Sequence, residues 1–235
     1  MGGVGMKNNY KFYNFKNSNI LVEELSIRIA ADLKKAIELK QYAVLAVSGG
    51  STPKELFQKL SHMDLPWHKV TVTLVDERWV ETYSNDSNEK LIRDTLLQNR
   101  ASFAKFIPLK NAIVKNIDGV LVTKNRFNKM DELDVVLLGM GSDGHTASFF
   151  PDTEELDDVL QTKDKCYPTT ANVEPYQRMT LTRSFLLTAK SLILHIEGGV
   201  KKTAFDIAAK SYDHHKMPII AMMQQESPIL EVYHA

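Results

Sequence analysis

The residues best suited to chemistry stand in three short stretches: Ser48-Gly49-Gly50-Ser51-Thr52-Pro53, Asp76-Glu77-Arg78-Trp79 and Gly139-Met140-Gly141-Ser142-Asp143-Gly144-His145. In the last stretch His145 follows Asp143 and Gly144 and precedes the small residues Thr146, Ala147 and Ser148. An imidazole, with an ordinary pKa near ~6.5, is the usual proton acceptor at neutral pH. The competing reading is a loop histidine that caps Phe149-Phe150-Pro151. In the first stretch, glycines let backbone N–H groups approach an anion, hydroxyls add donors, and a following helix adds partial positive charge. A phosphate on a small molecule fits this pattern, and so does an ordinary Ser/Thr-capped turn. Arg78 could fork onto a phosphate and Asp76 could hold a sugar hydroxyl, against a plain structural ion pair. Arg178 and Lys201 are the other cations near strand ends, where solvated surface charge is the default reading.

Gly139 to Gly144 also matches the G-x-G-x-x-G pattern of dinucleotide-binding loops, but its context fails the test. A dinucleotide loop feeds a full helix, and Pro151 arrives too soon for one. Asp143 would sit beside a pyrophosphate, and no acidic residue ends a strand ~20 residues on. The first stretch is not a Walker A loop, and no G-x-S-x-G esterase motif is present. His62, His68, His195, His214-His215 and His234 show no metal-ligand spacing, with the 214–215 pair read as a helix end. Neither a metal nor a cofactor is expected.

Hydrophobic periodicity supplies the elements that must position these residues. Residues 18–39 place Val22, Leu25, Ile29, Leu33, Ala36 and Ile37 on one helical stripe, with Ser18 as N-cap. Strands are expected at 42–47, 70–75, 133–138 and 191–196, a weaker one at 106–109, and a closing one at ILEVYH. Pro53 suits the first turn of helix PKELFQKL. Asp86 and Glu89 resemble a capping pair opening helix SNEKLIRDTLL. GGVKKTAFDIAAK and PIIAMMQQ are expected helices, and RMTLT (178–182) an edge strand. Alternating strands and helices imply an α/β fold, a mostly parallel sheet with helices on both faces. In such a sheet, ligands bind outside the carboxyl ends of the strands, where the three stretches all fall. Residues 1–9 read as an N-terminal tail or expression remnant, and 10–235 as a single domain.

Composition sets the outer bounds. Lys plus Arg and Asp plus Glu each total 29, so the formal net charge is zero, which disfavours a nucleic-acid binder. No apolar run reaches the ~20 residues of a membrane span. The opening MGGVGM lacks the features of a secretory signal, and a cytoplasmic location is expected. Cys166 is the sole cysteine, so an internal disulfide cannot form.

With SGGSTP, DERWV then SNEKLIRDTLL, GMGSDGHTASFFP, RMTLT and EGGVKK in this order, the chain resembles the 6-phosphogluconolactonase family. The likeness runs from about the forties to the last helix, nearly the whole chain. It implies the Rossmann-like fold shared with glucosamine-6-phosphate deaminases and metal-independent hydrolysis of 6-phospho-D-glucono-1,5-lactone. The resemblance casts His145 as general base, with Asp143 and Asp76 orienting hydroxyls or loops. Ser48, Gly49, Gly50, Ser51, Thr52, Arg78, Gly141, Arg178 and Lys201 would surround the phosphosugar; Lys201 is preferred to Lys202 by its spacing from Gly198. A phosphosugar lactone is thus the implied partner, for a monomer or small homo-oligomer without nucleic-acid or membrane partners. The rival within the fold is a glucosamine-6-phosphate deaminase or isomerase, which carries an acidic residue soon after its Asp-Gly-His. Here Thr-Ala-Ser-Phe-Phe-Pro follows, with no carboxylate before Asp152. A non-catalytic phosphosugar sensor is a more distant reading, disfavoured by the presence of His145.

Overall fold

The computed structural model describes residues 8–235. The expectation of an N-terminal tail falls mostly on residues 1–7, which lie outside the described residues. Asn8 and Asn9 are held in place: the Asn8 amide donates to the carbonyls of Ala209 and Ser211, and Asn9 N–H to that of Met223.

In chain order the elements are β1 (Tyr10–Asn14), α1 (Ser18–Lys40), β2 (Ala43–Val47), α2 (Lys54–Ser61), β3 (Val70–Leu74), β4 (Asp76–Arg78), α3 (Asn88–Thr95), β5 (Lys105–Ile107) and α4 (Asn116–Arg126). Then follow β6 (Val135–Leu138), α5 (Leu156–Gln161), β7 (Cys166–Thr170), β8 (Gln177–Leu181), α6 (Arg183–Leu186), β9 (Ser191–Ile196), α7 (Gly199–Lys210), α8 (Ile220–Met223) and β10 (Leu230–His234). Seven strands form one sheet in the order β1-β10-β9-β6-β2-β3-β5, with every neighbouring pair parallel. A second, antiparallel sheet has the order β4-β8-β7.

Helices cover both faces of the large sheet. Arg28 of α1 pairs with Glu231 of β10 at 2.8 Å, while Phe205 of α7 packs on Tyr10 and Phe12 of β1. Phe12 registers with Val232, and strand alternation puts Val232 and Glu231 on opposite faces, so α1 and α7 lie on opposite sides. α1 buries Leu21, Leu25, Ile29 and Leu33 completely, each burial stabilising by roughly 1.5–3 kcal/mol. β2 and β6, buried at every residue, run through the centre as the continuous apolar stretches expected of a two-sided parallel sheet.

Several local expectations are corrected. The N-cap of α1 is Asn17, whose side chain accepts Ile20 N–H, while Ser18 donates to Glu197. Ser87 rather than Asp86 caps α3. Pro53 occupies the N-cap position of α2, and PIIAMMQQ contributes only the four-residue α8. After β3, Asp76–Arg78 form a further short strand, β4, with Trp79 just beyond it. Arg178 to Leu181 of RMTLT fall in β8, which is the middle and not an edge strand of the small sheet, because β7 pairs along its other side. The His214-His215 pair lies in a turn beyond the end of α7.

Candidate active site

The sheet order places β2 and β6 side by side at its centre. From β2 the chain moves outward to β3 and β5; from β6 it continues the other way through β9 to β10. This reversal opens a crevice at the carboxyl ends of β2 and β6. Ser48, directly after β2, bridges it: its N–H donates to Leu137 O, and its hydroxyl accepts Gly139 N–H at 3.1 Å. A cavity of about 300 Å³ lies here, the lower end of the range for small-ligand sites.

The glycine loop after β6 folds back on itself. Gly141 N–H donates to His145 O at 2.9 Å, Gly144 N–H to Gly141 O, and the Thr146 hydroxyl to Gly139 O. Gly144 takes φ +79°, a conformation most side chains resist. Gly141 is constrained differently: a Cβ there would lie 2.3 Å from the His145 ring. His145 Nδ1 meets Asp143 Oδ1 at 2.6 Å, and the same oxygen accepts His145 N–H at 3.2 Å. Burial alone would raise the Asp143 carboxyl; the His145 ring and N–H outweigh it and hold the group below its ordinary value. Asp143 therefore fixes the imidazole without lining the cavity, whereas His145 lines it.

The Ser48–Thr52 loop forms another wall. Gly50 has φ +95°, and α2 begins with no side-chain cap on its first turn. Lys201, in the first turn of α7, reaches across the sheet to donate to the Thr52 hydroxyl at 2.9 Å. Burial lowers the Lys201 ammonium from its ordinary value, with Glu197 opposing. Lys202 turns away to Asp206 at 2.7 Å.

From the small sheet come Asp76, Arg78 and Arg178. Arg78 donates to Asp86 O and Arg178 to Pro175 O, and both line the cavity beside Asp76. Burial lowers the Arg178 guanidinium, with Asp76 acting against that and Arg78 with it. Asp76 accepts the Ser148 hydroxyl at 2.8 Å. The small sheet thus delivers cations from β4 and β8 to a crevice built by the large one.

The fold therefore gathers Ser48 to Thr52, Asp76, Arg78, Gly141, His145, Arg178 and Lys201 around one cavity, with Asp143 behind His145. Sequence reading passed over Phe150, whose ring lies 5.1 Å from that of His145 and 5.7 Å from the Arg178 guanidinium. It also missed Asn88, packed beneath Gly49, and gave no separate role to the fully buried Glu77. Phe150 carried a signal in its place five residues after His145; Asn88 and Glu77 acquire their neighbours only through tertiary contacts. Among the described residues the one cluster with metal-ligand atoms close together is Asp157, His214 and His215. It is outside the cavity lining, and its closest His–carboxylate approach is 3.6 Å.

Comparison with known sequences places this architecture. The profile of the glucosamine-6-phosphate isomerases/6-phosphogluconolactonase family matches residues 16–230. The chain belongs to this family. It is 42% identical to a 6-phosphogluconolactonase of Rhizobium meliloti over 94% of this chain and 97% of that protein. A 6-phosphogluconolactonase of Helicobacter pylori is 34% identical over 96% and 98%. The crystal structure of a 6-phosphogluconolactonase from Shewanella baltica superposes with a TM-score of 0.95 at 40% identity, covering 98% of this chain and 99% of that one. Family membership accords with the α/β sheet and the reversal at which the crevice opens.

Proposed function

We propose that this chain, its residues 10–235 acting as one catalytic domain, hydrolyses 6-phospho-D-glucono-1,5-lactone to 6-phospho-D-gluconate. The observation that carries the reading is one cavity holding an Asp143-supported His145 together with Lys201, Arg78 and Arg178. A lactone is an activated ester, so its hydrolysis needs a deprotonated water and a stabilised oxyanion rather than a covalent nucleophile. In the neutral histidine, Asp143 fixes the tautomer with the proton on Nδ1, leaving Nε2 to take a proton from water. The water oxygen attacks C1, the ring C–O bond breaks, and the proton returns to the leaving ring oxygen. The cations and the Ser48–Thr52 loop hold the 6-phosphate, which positions the ring without changing during the reaction.

The family also contains isomerases and deaminases of amino sugar phosphates, for which the segment after His145 offers no carboxylate before Asp152. Substrate comparison tests the choice. The purified chain is expected to accelerate loss of the phosphorylated lactone over its spontaneous hydrolysis and to release no ammonia from glucosamine 6-phosphate. Rapid ammonia release, or equal handling of unphosphorylated gluconolactone, would contradict the assignment.

A further inference from the structure

The second residue of β4 has no place in the chemistry above, yet it is the most completely enclosed carboxylate beside the site. Strand alternation turns Asp76 and Arg78 toward the cavity and Glu77 away from it. Glu77 is 0% exposed, and the donors that meet it are three backbone N–H groups and one hydroxyl, none of them a cationic side chain. Its oxygens are met instead by donors from its own strand and from the start of α3. Oε1 accepts Arg78 N–H and Asn88 N–H, both at 2.7 Å. Oε2 accepts Glu89 N–H at 2.7 Å and the Ser87 hydroxyl at 3.2 Å. One carboxyl group thus satisfies two otherwise unpaired N–H groups at a helix start and ties them to the strand that carries Arg78.

What lies on the far side of this tie gives it a purpose. The Asn88 amide nitrogen donates to Asp76 O at 2.8 Å. Its Oδ1 occupies the space that a Cβ on Gly49 would fill, at 1.9 Å from that position. Asn88 therefore forms the floor of the glycine pair in the Ser48–Thr52 loop. Arg78, meanwhile, donates its backbone N–H to the same Glu77 oxygen that accepts Asn88 N–H.

We infer that Glu77 is a positioning residue: through Arg78 N–H and Asn88 N–H it holds a phosphate-binding arginine and the floor of the glycine loop in fixed register. The inference rests on the functional reading above for the identity of the anion. It does not rest on turnover, since register is read by binding. Removing the tie leaves His145 and Asp143 in place but lets the two anion-contacting walls move independently. Affinity for the phosphate then falls while the hydrolytic step is retained.

The test is calorimetric titration of 6-phosphogluconate and, separately, of inorganic phosphate into wild type, Glu77→Gln and Asn88→Ala. Turnover of phosphorylated and unphosphorylated lactone is measured on the same proteins. Glu77→Gln keeps the shape but turns an amide NH₂ toward backbone donors; Asn88→Ala removes the floor and keeps the Glu77 contacts, so it serves if the first variant fails to fold. In both, Kd and KM for phosphorylated ligands are expected to rise about tenfold or more, with kcat within about threefold. Hydrolysis of unphosphorylated lactone should change little. Unchanged Kd in folded variants overturns the inference, and so does a parallel loss on both substrates, the mark of general damage. A wild type that binds the ligands without hydrolysing the lactone overturns the functional reading alone; one that binds neither overturns both.

Discussion

Asp143 Oδ1 lies 2.6 Å from His145 Nδ1 with only Gly144 between the two residues. So short a separation works because Gly144 adopts φ +79° and brings the carboxylate back over the ring. Asp143→Asn keeps the shape but lets an amide nitrogen face Nδ1, which no longer favours the tautomer required for base catalysis. Its kcat on the phosphorylated lactone is expected to fall about 10²-fold or more, with KM little changed. The carboxyl is held below its ordinary value, so its contribution to stability is present above that ordinary value and is lost as pH falls through the folded-state value. Acid titrations of wild type and Asp143→Asn should therefore differ in the acid range and run parallel above it.

Gly141→Ala tests the same dyad from the other side. The added methyl meets the His145 ring at 2.3 Å, so the imidazole must rotate away from Asp143. The backbone at Gly141 does not lie in the left-handed region, which isolates the steric effect. A folded variant with kcat reduced at least about tenfold is expected; wild-type turnover would place the ring elsewhere during catalysis.

Lys201 and Lys202 are adjacent but face different surroundings, which makes them a matched pair. Lys201→Ala removes a cavity cation and its bond to Thr52, and KM for the phosphorylated substrate is expected to rise about 10–100-fold. Lys202→Ala removes an i,i+4 pair with Asp206 and should leave KM within about twofold. Steady-state kinetics on the two variants decide the point, and the reverse ranking would shift the phosphate to the other face of α7.

Much of the candidate site is legible in the sequence, because parallel-sheet physics concentrates ligand chemistry at strand ends. Continuous apolar runs such as residues 133–138 announce buried strands, and glycine-rich polar segments after them mark where the chain emerges. What escaped was set by contacts distant in sequence. β4 is only three residues long, and its pairing with β8 depends on residues about a hundred positions away. β7, with Pro168 at its centre, carries little strand signal. α4 begins with an uncapped Lys115 and exposes Ile117, Leu121 and Val122, so its apolar residues do not mark a buried face. Asn88 and Glu77 resemble ordinary polar residues until α3 is docked against β4.

Glu77 also carries a pH signature. Burial, opposed by the N–H groups of Asn88, Glu89 and Arg78, pushes its carboxyl up to about 7. A raised folded-state pKa means the stability it contributes is complete below the ordinary value of 4.5 and is lost as pH rises through about 7. The stability advantage of wild type over Glu77→Gln should therefore be larger at pH ~5 than at pH ~8, by up to about 3 kcal/mol. Urea unfolding at both pH values measures it; an advantage that grows with pH would mean the buried group is ionised throughout.

The role of His145 is tested most directly by one comparison, phosphorylated-lactone decay catalysed by wild type and by His145→Ala, each corrected for spontaneous hydrolysis. With His145 as the base, the variant should fold normally, bind 6-phosphogluconate as wild type does, and lose about 10²–10⁴-fold in kcat. Undiminished turnover by a folded His145→Ala protein would remove the histidine from the mechanism.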